Sequence, residues 1–101
     1  GIGLALTERL HISESMIESK DFSTYLIPTA LDICDSIHVE FIEKYSEEGP
    51  FGAKGLGEPA IIPVPAAIAN AVSRALRVRV KRLPVDREWV IEVCRREPEL
   101  A

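Results

Sequence analysis

In the opening GIGLALTERL, Ile2, Ala5, Leu6 and Leu10 fall at helical spacing, so residues 1–9 read as the end of an amphipathic helix. The next stretch, LHISESMIESKDFSTYLIP, loses that period. Ser13, Glu14 and Ser15 stand between short extended runs, which predicts a loose hairpin ending at Pro28. In SIHVEFIEKY, Ile37, Val39 and Phe41 alternate with His38, Glu40 and Ile42, the period of a half-buried strand whose acidic continuation, Glu43 to Glu48, is its solvated end. Pro65 can start a helix, with Ile68, Ala71, Val72, Ala75 and Leu76 forming one apolar face. RVRVKRL then sets Val78 and Val80 against Arg77, Arg79 and Lys81, as a strand wetted on one side does. Asp86 is placed to cap a last helix with the stripe Trp89, Val90, Val93 and Cys94, an i,i+4 pair from Glu92 to Arg96, and Pro98 as its stop. The predicted class is α+β, a short mixed sheet with two or three helices, without repeats or low-complexity linkers.

A chain of 101 residues suits one domain, and 47% hydrophobic with 28% charged residues is an ordinary globular composition. Roughly 60 to 70% of the unfolded surface is expected to be buried, enough for a core but with little left for an active site built from this chain alone. The net charge of −4 gives no electrostatic reason to expect nucleic acid or an anionic membrane as a partner. Cys34 and Cys94 are too few for a disulfide framework and lack metal-site spacing, so both read as reduced core thiols. No apolar run approaches the ~18 residues of a membrane span, and the opening does not resemble a signal peptide, so a cytoplasmic location is expected. The absence of an initiating methionine suits a fragment better than a complete product.

Several residues have ordinary explanations. His11 and His38 lack a second ligand at i+3 or i+4 and read as loop or strand-face residues; no metal ligand is assigned. Arg74, Arg77, Arg79, Lys81 and Arg82 read as a solvated face, Tyr25 as core, and Trp89 as packing or a subunit contact.

The stretch GPFGAKGLGEPAIIPVP, Gly49 to Pro65, reads on its residues alone either as a surface turn that Glu58 merely decorates or as a loop built to approach a ligand. Gly49, Gly52, Gly55 and Gly57 permit positive φ and close approach to a ligand, and successive N–H groups in such a loop can surround an anion. A phosphate loop is excluded, because Lys54 is followed by Gly55 with no Ser or Thr for magnesium. The order Gly52, Gly55, Gly57 also inverts the dinucleotide-binding pattern, and Pro59 and Pro63 prevent a helix from starting directly behind it. What remains is Glu58 between Gly57 and Pro59, a carboxylate that partial burial would turn into a general base.

The run GPFGAKGLGEPAIIPVPAAIANAV resembles the C-terminal part of the molybdopterin-binding large subunit of the molybdenum hydroxylases, the xanthine dehydrogenase and aldehyde oxidase family. The matching elements are Phe51, Ala53, Lys54, Gly55, Gly57, Glu58, Pro59 and Ala69-Asn70-Ala71. GIGLALTE and YLIPTALDI upstream, and RVKRLPVDREWV downstream, extend the likeness over nearly the whole chain. The resemblance implies that residues 1–101 are one segment of a molybdopterin-binding domain with a catalytic loop at 49–59. Glu58 would be the general base beside molybdenum in the hydroxylation of an aldehyde or nitrogen heterocycle. Lys54, Gly55, Leu56 and Gly57 would be cofactor-adjacent backbone.

The family's other metal-site and pterin contacts come from segments upstream, and its iron–sulfur and flavin groups from other domains or subunits. The resemblance therefore implies the rest of the large subunit as a partner, with molybdenum-molybdopterin in the complete subunit. The isolated chain is expected to carry no cofactor, to be inactive alone, and to be able to form homo-oligomers. Two other functions stay open: a non-catalytic docking or assembly module derived from that subunit, and an anion-binding loop at Gly52 to Gly57.

Overall fold

The structure, a computed structural model, describes residues 1–97. Helix α1 (Ile2–Leu6) is followed by a hairpin of β1 (Ile12–Ser13) and β2 (Met16–Ile17). Three single 3₁₀ turns come next, at Ala30–Asp32, Pro50–Gly52 and Glu58–Ala60, and then α2 (Val64–Leu76) and α3 (Arg87–Arg96). The class is α+β, with three helices and a two-stranded antiparallel sheet pairing Ile12 with Ile17 and Ser13 with Met16. The hairpin is much shorter than the pattern predicts, because Glu14 and Ser15, at φ 48° and 64°, turn the chain within two residues.

The core lies where the three helices meet, and the buried hydrophobics among the described residues are Ala5, Leu76, Val85 and Val93. α1 comes close to its neighbours because it carries glycine. A Cβ on the buried Gly3 would lie 2.7 Å from Pro28 Cδ and run into the Glu8 carboxylate. The Val85 amide donates to the Ala5 carbonyl at 2.7 Å, tying the approach to α3 onto α1. α2 opens with Pro65 in its first turn, as predicted, and ends at Arg77 in the left-handed conformation. Its packed face runs through Val64, Ile68, Val72 and Leu76, whereas Ala71 and Ala75, predicted on that face, are exposed. α3 has the predicted cap: Asp86 Oδ1 accepts from the amides of Glu88 at 2.9 Å and Trp89 at 3.4 Å. The Glu92–Arg96 ion pair is present; Pro98, the predicted stop, lies outside the described residues.

Neither predicted strand forms. Around RVRVKRL, Arg77 breaks the extension, and the Val80 amide goes to Ser73 Oγ at 2.9 Å, which itself donates to the Ala69 carbonyl at 2.6 Å. Residues 37–42 have no strand beside them, and Phe41 is 75% and Ile42 97% exposed. Cys34 is exposed rather than core, because its segment has nothing packed beneath it; Cys94 is half-buried on α3.

The burial expected of a self-sufficient domain is not reached. The chain exposes 9182 Å², against about 5,700 Å² for a compact protein of this mass, and buries only about 43% of its unfolded surface. Its radius of gyration is 18.2 Å, against about 13 Å for a compact chain of this length. The apolar content is also more concentrated than the sequence pattern implied: Glu58–Leu76, 19 residues with mean hydropathy 1.3, passes for a membrane span by length and composition. Its α-helical part, 13 residues, is only about 20 Å long against a hydrocarbon layer of about 30 Å.

Candidate functional site

The glycine-rich loop begins from a tight turn. Ser46 N donates to Gly52 O at 3.3 Å, Gly52 N to Gly49 O at 3.0 Å, and Ala53 N to Pro50 O at 3.0 Å. Phe51 and Gly52 take left-handed φ in succession, 54° and 79°. Gly52 is demanded twice, by that φ and because any Cβ there would strike the Tyr45 ring. Phe51 is thrown fully into solvent, 104% exposed.

Beyond the turn, residues 54–57 are exposed, with a bend at Gly57, and none of their amides donates a hydrogen bond among the described residues. A Cβ at Gly55 or Gly57 would meet nothing within 4 Å. Of the four glycines that permit positive φ, only Gly52 uses it, and Gly57 has φ −131°. At Gly55 and Gly57 the missing side chains leave bare, unoccupied main chain instead of making a turn.

Glu58 opens the 3₁₀ turn that Pro59 stiffens, with Ile61 N donating to Glu58 O at 2.9 Å. Its side chain is exposed and has no hydrogen bond or ion pair among the described residues. The partial burial expected of a base is not supplied by this chain. Lys54, Gly55, Leu56, Gly57 and Glu58 thus lie together on one open strip.

Among the described residues no group of three or more His, Cys, Asp or Glu could hold a metal. His11 is exposed, and His38 Nε2 meets Glu40 Oε1 at 2.8 Å on the surface.

Interactions elsewhere hold the region that precedes the loop. Tyr25, expected in the core, is only half-buried and donates its hydroxyl to Glu8 Oε2 at 2.8 Å; that bond, burial and the Glu8 charge raise the Tyr25 pKa above 10.0. Asp32 closes a capping box with Thr29, and the Thr29 amide and then its hydroxyl hold the Asp32 carboxyl below its ordinary 3.8. T-x-x-D at Thr29 was a visible signal for that turn; the Glu8–Tyr25 pair had none. Sequence reasoning also missed a cleft of about 630 Å³ in which Arg9, Arg79, Lys81 and Arg82 surround Trp89.

No protein-family model matches the chain. It is 38% identical over 94 residues, 91% of its length, to the xanthine dehydrogenase molybdenum-binding subunit of Escherichia coli O157:H7. It is 38% identical over 97 residues, 93% of its length, to the 6-hydroxypseudooxynicotine dehydrogenase complex subunit gamma of Paenarthrobacter nicotinovorans. With the aldehyde oxidoreductase of Megalodesulfovibrio gigas it shares 36% identity over 98 residues, 94% of its length. The chain spans only 10 to 12% of these relatives.

Proposed function

Because the chain belongs, as one segment, to the family of xanthine dehydrogenase and aldehyde oxidoreductase molybdenum-binding subunits, we propose that it supplies the general base, Glu58, of a molybdenum hydroxylase. The observation that supports this is the placement of Glu58: an exposed, unpaired carboxylate that opens the turn at the proline end of a bare glycine strip. The residues fit a cofactor held by other segments. The open strip gives a bulky group room to approach the main chain at Gly55 and Gly57, while the described residues offer no metal cluster of their own.

A molybdenum-pterin centre, when bound, supplies two-electron redox chemistry and Lewis acidity. The unpaired amides of residues 54–57 are free to donate to its polar edge. Pro59 restricts the backbone at Glu58, so the carboxylate projects from a main-chain position with few alternatives. Glu58 Oε takes the proton whose loss activates the attacking oxygen, in a pocket that other segments close against water. The substrate is an electron-poor carbon of an aldehyde or nitrogen heterocycle, and the partners are the remainder of the subunit with its iron–sulfur and flavin modules. Alone, the chain is inactive and carries no cofactor.

A docking module without catalytic duty is the second function, favoured by the large exposed surface. Glu58→Gln in the complete subunit separates the two. The catalytic role predicts a fall in kcat of about 10² or more with molybdenum content unchanged; turnover within a few-fold of the parent returns Glu58 to a surface turn.

A further inference from the structure

Residues 37–45, IHVEFIEKY, have the properties of a β-strand in a fold that gives them no neighbour. Ile37, Val39 and Phe41 alternate with His38 and Glu40, and the 2.8 Å contact of His38 with Glu40 is the i,i+2 meeting that an extended backbone produces. No amide from Ile33 through Tyr45 donates a hydrogen bond among the described residues. Main-chain polar groups need partners, and among the described residues the main chain of 37–45 has none while a row of large apolar side chains stands exposed beside it. Unpaired main chain beside exposed apolar side chains is the form in which a strand joins the edge of another sheet.

We propose that residues 37–45 are a donated strand, completing the edge of a β-sheet formed by a part of the subunit outside this chain. This rests on the assignment of the chain as one segment of a larger subunit. Ile37, Val39 and Phe41 face that sheet's core; His38, Glu40 and Lys44 face away from it. The chain's own strands are two residues long and cannot supply such an edge. Its surface exceeds that of a compact protein by about 3,500 Å², several times the roughly 800 Å² that one partner gives to a standard interface.

A second copy is the poorer occupant. Within residues 37–45 Glu40 and Glu43 outnumber Lys44, and Asp35, Glu47 and Glu48 flank the segment, so two copies laid side by side bring like charges together. The strand also ends where the glycine-rich loop begins. Tyr45 packs against Gly52, and the Ser46–Gly52 hydrogen bond closes the turn from which residues 54–58 extend. Fixing residues 37–45 therefore fixes the base of the loop, and the segment acts as a positioning element for Glu58.

The test replaces the matching 94-residue segment of the Escherichia coli O157:H7 subunit with this chain and follows amide hydrogen exchange by mass spectrometry. Residues 37–45 are expected to exchange about 100-fold or more slowly in the chimera than in the lone chain. Equal exchange in both overturns the proposal. So does slow exchange in the lone chain that grows with its concentration, which identifies a second copy as the partner. If the chimera does not fold, a graft of residues 36–46 alone into the same subunit gives the same two outcomes. Molybdenum content and the Glu58→Gln comparison are read separately in the same protein. A turning-over chimera whose residues 37–45 exchange freely loses the strand and keeps the base; protected exchange with Glu58→Gln fully active does the reverse.

Discussion

Asp86 holds two structures with one carboxylate: Oδ1 caps α3, and Oδ2 faces Arg9 Nη2 at 3.7 Å. Asp86→Ala should cost about 1 kcal/mol, nearly all from the cap, because a half-exposed ion pair contributes little. Asp86→Asn, which can still cap, should recover most of it, as read from thermal loss of the helical circular-dichroism signal. Tyr25 sets an alkaline limit. Its folded pKa stands above 10.0, so the Glu8 bond contributes fully below pH 10 and is lost as pH rises through the raised value. Tyr25→Phe should remove that limb, and tyrosinate absorbance follows the titration. Asp21 behaves oppositely: the Ser23 hydroxyl first, then the Ser23 amide and Thr24, hold it below 3.8, so its contribution is present above 3.8 and lost as pH falls through the lowered value. At Gly57, whose φ is negative and whose surroundings are open, Gly57→Val should leave the lone chain's circular dichroism unchanged. In the complete subunit the same change should lower molybdenum content, measured by elemental analysis, because the bare main chain is needed only where another group approaches it.

Helices α2 and α3 were legible because their signals are local. Pro65, the apolar spacing and the Asp86 cap act within one or two turns, and the structure keeps the proline start and the cap and, of the α2 face, Ile68, Val72 and Leu76. Strands are a different kind of object. The alternation at Ile37–Phe41 records which side chains want burial, but a ladder needs a second strand, and this chain has none to give. At RVRVKRL a side chain competed with the ladder and won: Ser73 Oγ takes the Val80 amide. Ser73→Ala should leave that part-buried amide unpaired and cost about 1–2 kcal/mol, measured as faster hydrogen exchange at Val80. The glycine-rich strip was legible as a place and as a set of residues, Lys54 to Glu58, but not as a geometry. Four glycines advertise freedom, and only contacts such as the Tyr45 ring at Gly52 decide which one uses it.

For the whole molecule, the exposed surface controls behaviour in solution. Unfolding of the lone chain uncovers only about two-thirds of the area that a compact protein of its mass would expose, so its urea transition should be shallow, with an m-value reduced in proportion. The same surface should drive concentration-dependent self-association, visible by sedimentation velocity. A monodisperse monomer with a steep transition would contradict both expectations. If the rest of a subunit covers this surface, as proposed, the segment should unfold with it as one unit.

The hydrogen bond between Val85 and Ala5 joins positions about 80 residues apart, and everything from the hairpin to α2 lies inside the ring it closes. Closing a ring of that size costs entropy that a longer chain hardly changes but an internal anchor does. Any contact that pins residues 37–45 divides the ring into two smaller ones and makes the closure at Ala5 easier. By reciprocity, a firm closure makes the pinning tighter. The ends of the segment and its midpoint thus favour each other's fixing, alongside the packing of α1 on α2, so weakening the Ala5–Val85 closure should loosen the attachment of residues 37–45.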